Sequence, residues 1–181
     1  MGWFDWLRRG GAEDAWTRAW RTDWAAAVEH PDAATAAALR ARLDAAGPDD
    51  ERLEIEREML EGLDAVVELG AALDGHGPEP IATGHRAVGA DRCYFSAPVS
   101  VPDDPAQPSG TLLLTEIRAI FIGGARAMTI PWHAVARAVP QNRDLVLIRS
   151  DQQDLHRFRC NTFADAMRAA RLARHLSKRR V

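Results

Sequence analysis

Near residue 80 the apolar residues of this chain change their period, and that change limits the fold to a helical unit followed by a sheet-forming one. Alanine, leucine, glutamate and arginine dominate residues 12–73, a composition that favours helix. From residue 81, runs rich in valine, isoleucine, leucine and threonine are cut by turn residues about every 8–12 positions, the spacing of an antiparallel sandwich or barrel. The expected class is α+β, with an acidic helical region at 1–79 and a barrel at 80–181. A chain of 181 residues buries enough surface to form a core without a disulfide or a metal.

In the first region Trp16, Trp20, Trp24 and Val28 recur every four residues and form one slowly drifting stripe, the core face of a helix over about 12–29. Pro31 closes that helix, because the residue before a proline is pushed out of the helical region. It then opens a second helix over 31–46, ended by Gly47-Pro48. Asp49 or Asp50 is the expected N-cap of a third helix over 49–73, whose stripe is Leu53, Leu60, Leu63 and Val67. Short connections between helices imply antiparallel neighbours, hence a hairpin or small bundle.

The second region reads as strands at 92–100, 111–115, 118–122, 127–130, 135–139, 145–149 and 155–160. An amphipathic helix over about 162–177, with Phe163, Met167 and Ala170 on its apolar side, ends it. The run Gly110-Thr111-Leu112-Leu113-Leu114-Thr115, followed by Arg118 and Phe121, resembles the strand-turn-strand of bacterial pleckstrin-homology-like and GRAM-like domains. Ile130-Pro131 before Val135, and Phe158 before the closing helix, fit the same pattern, so the resemblance covers about residues 82–177. It implies a bent antiparallel β-barrel of seven to eight strands plugged by a C-terminal helix. It also implies a binding module for phosphoinositide headgroups, peptides or partner domains. Lipid-binding members carry a basic cluster in the first strand-to-strand loop, which here corresponds to His85, Arg86 and Arg92.

Charge is split between the regions. Residues 1–79 carry 8 basic and 18 acidic side chains, and residues 80–181 carry 15 basic and 8 acidic. Opposite surfaces attract, so Glu54, Glu58, Glu61 and Asp64 of the third helix are candidate contacts for the basic surface of a barrel, from the same or another chain. Arg168, Arg171 and Arg174, stepping by three along the last helix, are candidates on the basic side. At the start, Trp3, Phe4, Trp6 and Leu7 stand among Asp5, Arg8 and Arg9. This short amphipathic segment suits either packing or contact with a membrane interface or partner.

Catalytic patterns are missing from the sequence. Gly123-Gly124 lacks the Lys-Ser/Thr of a phosphate-binding loop, and no histidine pair has helical metal-ligand spacing. Cys93, Cys160, His85 and His156 show no ligand-pair spacing, so neither a metal nor a cofactor is expected. His156 and Cys160, four residues apart on a strand, stand ~13 Å apart, too far for proton transfer. The basic last helix lacks interleaved aromatics and the first region would repel a polyanion, which argues against nucleic acid. Without a membrane-spanning run or the layout of a signal peptide, the expected location is the cytoplasm, with peripheral membrane contact as the alternative. The reading is a non-catalytic module that binds a protein partner or itself. The alternative is a peripheral membrane module binding anionic headgroups through the barrel loop and the Trp/Phe segment.

Overall fold

The computed structural model describes residues 15–47, 51–124, 126–149 and 155–178. The tryptophan stripe builds the helical layer. Helix α1 (Ala15–Glu29) buries Trp20, Trp24 and Val28 against α2 (Ala33–Ala46) and α3 (Glu54–Gly75). Each buried indole also satisfies its N–H, as burial in an apolar layer requires. Trp20 Nε1 donates to the Leu39 carbonyl at 3.1 Å and Trp24 Nε1 to the Met59 carbonyl at 2.8 Å. Arg21 and Glu56, 2.5 Å apart, pair α1 with α3 beneath the surface.

Helix ends depart from expectation for local reasons. Helix α2 begins two residues after Pro31, because Asp32 caps it by accepting the Thr35 N–H at 2.8 Å and the Thr35 hydroxyl at 2.6 Å. Residues 12–14 and the proposed caps Asp49 and Asp50 lie outside the described residues. Glu51–Leu53 forms a 3-10 turn before α3, which runs past Leu73 to Gly75. It stops where the N–H groups of His76 and Gly77 both reach the Ala72 carbonyl, with Gly77 at φ 81°.

Seven antiparallel strands stand at the expected places: β1 (Cys93–Ser100), β2 (Ser109–Thr115), β3 (Arg118–Gly123), β4 (Arg126–Pro131), β5 (Val135–Gln141), β6 (Asp144–Arg149) and β7 (Leu155–Cys160). Helix α4 (Phe163–Lys178) follows, capped by the Thr162 hydroxyl, which accepts the Asp165 N–H at 3.0 Å. The strand order is β4-β3-β2-β1-β7-β6-β5, so the sheet is open rather than closed, with β4 and β5 as its edges. Strand β1 pairs with β2 along its length, but with β7 only at Val99–Cys160 and Ser100–Arg159. Pro98, which has no N–H to donate, stands where that second ladder stops. The sheet is therefore two hairpin sets joined at a short seam.

Helix α4 is sandwiched. Ala166, Ala169, Ala170, Leu172, Ala173 and Leu176 pack on the sheet with Leu112, Leu114, Phe121, Leu145, Leu147 and Phe158. Phe163 and Met167 turn the other way, into the tryptophan layer. Its apolar side is thus two faces, not the single one expected. Gly62 lets α3 approach, since a Cβ there would stand 2.7 Å from Met167 Sδ. Leu113 faces away from Leu112 and Leu114, as strand alternation demands, yet it is buried under Val88, Cys93 and Ile120.

Candidate functional site

The expected headgroup loop has a different setting. Residues 82–92 precede β1 and are closed by a single bridge between Ile81 and Cys93, whose N–H to carbonyl distance is 2.7 Å. His85, Arg86 and Arg92 are all exposed on it. The first loop between sheet strands is instead 101–108, which carries Asp103 and Asp104. Asp91, between the candidate cations, is held by Arg118 Nε at 3.0 Å, and Arg118 also reaches the Ala87 carbonyl.

The acidic candidates on α3 separate. Glu58 meets the sheet unit: one carboxylate oxygen pairs with Arg143 in the β5–β6 turn, and the other accepts the Phe163 N–H of α4 at 3.0 Å. The Arg143 guanidinium also lies 5.6 Å over the Phe163 ring. Asp64 pairs with Arg40 of α2 instead, while Glu54 and Glu61 face solvent. Of Arg168, Arg171 and Arg174, the last two line one hollow with Asp74 and Lys178, and Arg168 is not in that lining. Arg168 is exposed, Arg171 lies half-buried beside Gly70 of α3, and Arg174 reaches the sheet edge. Trp3, Phe4, Trp6 and Leu7 lie outside the described residues.

Arg174 leads to a cleft that no single stretch of sequence displays. Its Nε donates to the Ala138 carbonyl of edge strand β5 at 2.6 Å. Register aligns two rows across the outer face of three strands: Arg137–Ile148–Leu155 and Val139–Val146–Arg157. These rows, Arg174 and the end of α1 (Val28, Glu29) line a cleft of about 400 Å³. Three arginines from three elements thus stand in one lining with valine, isoleucine and leucine. Glu29 is the one acid in the described lining.

The electrostatics favour an incoming anion. Burial presses the Arg174 pKa below its ordinary value; Glu29 opposes that, while the cations of Arg171 and Arg137 add to it. Arg137 has no ion-pair partner among the described residues, and Arg157 stands 3.6 Å from Asp103 and 3.9 Å from Asp144, at the long end of ion pairing. Asp144 is better matched by Arg159 at 2.9 Å. Arginine presents a planar fork suited to carboxylate or phosphate, so the cleft fits an anionic group attached to an apolar body. Sequence reading missed Arg137 and Arg157, each an ordinary outward position on its strand. The usable signal was the outward apolar set Val139, Val146, Ile148 and Leu155, unusual for a solvated sheet face.

The remaining reactive groups lie apart from this cleft. Cys160 is buried in the sheet core, where burial, with Asp165 and Asp144 adding, pushes its thiol up to about 12. Cys93 is buried under the outer face, and its Sγ lies 3.2 Å from the Phe95 carbonyl. Among the described residues no three His, Cys, Asp or Glu side chains gather as a metal-ligand set. No helix of the described residues is long and apolar enough to cross a membrane.

No protein-family model and no curated protein matches the chain. Among solved structures it is similar to the C-terminal domain of an unknown protein from Leishmania infantum, with a TM-score of 0.42 and 12% identity over 50% of this chain and 88% of that one. It is also similar to the linker-DH/PH domains of p115-RhoGEF (TM-score 0.43, 8% identity), covering 68% of this chain and 42% of that one. A third similar structure is the DH/PH fragment of PDZRhoGEF in complex with human RhoA (TM-score 0.43, 13% identity), with 90% of this chain and 53% of that one covered. The chain spans about half the length of these two exchange-factor fragments.

Proposed function

We propose that this chain is a non-catalytic, PH-like binding module that engages an acidic protein partner through the arginine-lined cleft. One observation carries the reading: Arg137, Arg157 and Arg174 converge over an apolar floor at the open β5 edge. Such a surface rewards a partner offering carboxylates beside an apolar side chain, because the charges set orientation and the apolar contact supplies affinity. Affinity purification from native lysate, comparing the unaltered protein with Arg137→Glu/Arg157→Glu, tests it. Acidic partners retained by the former and lost by the latter are the expected result. An identical set of bound proteins overturns it. The membrane alternative draws on the exposed His85, Arg86 and Arg92. Flotation with phosphatidylcholine vesicles, with and without phosphatidylserine, separates the two readings.

A further inference from the structure

We infer that the acidic partner of the cleft is a second copy of this chain, seated through the exposed N-terminal end of its helix α3. The inference rests on the cleft reading above and adds the identity of the occupant. Three large apolar side chains stand exposed among the described residues: Ile55, Ile81 and Leu155. Leu155, 55% exposed, belongs to the cleft floor, and Ile55, 47% exposed, stands at the start of α3. Glu51 and Glu54 flank Ile55, and both are exposed. Positions 54, 55 and 58 share one face of α3, and Glu51 stands in the 3-10 turn just before it, so this end of the helix presents an isoleucine close to exposed carboxylates.

Each feature answers one in the cleft. Ile55 meets the apolar row of Ile148 and Leu155, while Glu51 and Glu54 meet Arg137 and Arg157. The floor spans three strands, about 10 Å from first to last at 4.8 Å spacing, which matches the width of a helix. A chain cannot fill its own cleft this way. Glu58 pins the start of α3 to Arg143 and to the N-terminus of α4, and leaves Ile55 facing solvent. The two surfaces differ, so the contact is head to tail: it builds a reciprocal pair if two contacts close on each other and a chain if they do not. Salt weakens it, because the ion pairs are exposed and the Debye length falls to ~3 Å at 1 M.

Sedimentation velocity on the full chain at about 20–300 μM tests this. In about 50 mM salt the protein associates with rising concentration, and in about 500 mM it returns to monomer. Arg137→Glu/Arg157→Glu and Glu51→Arg/Glu54→Arg are each monomeric at low salt, yet mixing the two restores a 1:1 complex through the inverted charges. Restoration excludes misfolding as the cause of either loss. A monomer throughout the range overturns the second copy as partner, and leaves the cleft reading to stand or fall on the lysate comparison. Association that survives Arg137→Glu/Arg157→Glu overturns the cleft as its seat.

Discussion

Truncating Trp24 to alanine probes the joint on which the whole arrangement depends. The indole is 3% exposed, donates to the Met59 carbonyl at 2.8 Å and meets the Phe163 ring edge-on, with centroids 6.3 Å apart at 87°. Removing a buried aromatic of this size costs about 3–5 kcal/mol, of which the ring pair contributes roughly 1 and the hydrogen bond about as much. Phe163 belongs to α4, which also covers the sheet, so the loss should reach both layers and not stay among α1–α3. For a chain of this size the midpoint of thermal unfolding should fall by about 6–20 °C. Trp24→Phe keeps a ring but loses the donor, so about 1–2 kcal/mol is expected. Labelling with 5-fluorotryptophan gives separate 19F signals for Trp20 in the helical layer and Trp132 in the sheet core. Both should vanish together along a urea titration in wild type and variant. A Trp132 signal that outlives Trp20, or an unchanged midpoint, refutes coupling of the two layers through α4.

Four further expectations concern single positions. A Cβ at Gly110 would lie 2.2 Å from the Ile122 carbonyl oxygen, so Gly110→Ala should cost about 3 kcal/mol in a urea melt. Gly84→Ala, with nothing within 4 Å of the added carbon, should change the melt little. Glu58→Gln keeps an acceptor for the Phe163 N–H but loses the charge facing Arg143. The pair is partly exposed, so a loss of about 0.5–1 kcal/mol is expected, vanishing in ~1 M salt. Cys160 stays a thiol in the folded chain up to about pH 12, whereas the unfolded thiol ionises near its ordinary value of 9.0. Its contribution is therefore full below pH 9 and is lost as pH rises from there toward 12, at about 1.4 kcal/mol per unit. Cys160→Ala should flatten that decline between pH 9 and 10.5, and equal slopes would reject the assignment.

Local chemistry made the elements legible. Every strand, and the body of every helix, could be read because alternation, four-residue spacing, proline and glycine act over a few residues. The tryptophan stripe of α1 and the inward pair Leu112 and Leu114 follow from the same short-range periods. Expectation strayed where neighbours competed. Asp32 outdid Pro31 as the start of α2 because a carboxylate can accept the free N–H groups of a helix end and a proline ring cannot. Of the charged candidates, Glu58 met the sheet unit, while Asp64 was taken by Arg40 close at hand on α2.

Short-range spacing marks the body of each helix and strand and, for α1 and β2, the side that is apolar. Tertiary structure alone decided which of those sides meet. Arg137 and Arg157 are 20 positions apart, and only the registers of β5 with β6 and of β6 with β7 bring their rows side by side. Helix α4 reads as one amphipathic stripe, yet its place between sheet and helices divides that stripe, sending Phe163 and Met167 one way and the alanines the other. Likewise the short seam between β1 and β7 leaves the sheet open and β5 as an edge for Arg174 to reach. The physical reason is range. Backbone torsion and side-chain period are set by near neighbours, whereas register, burial partner and cleft depend on contacts between segments far apart in the chain, whose pairing emerges only when the layers pack together.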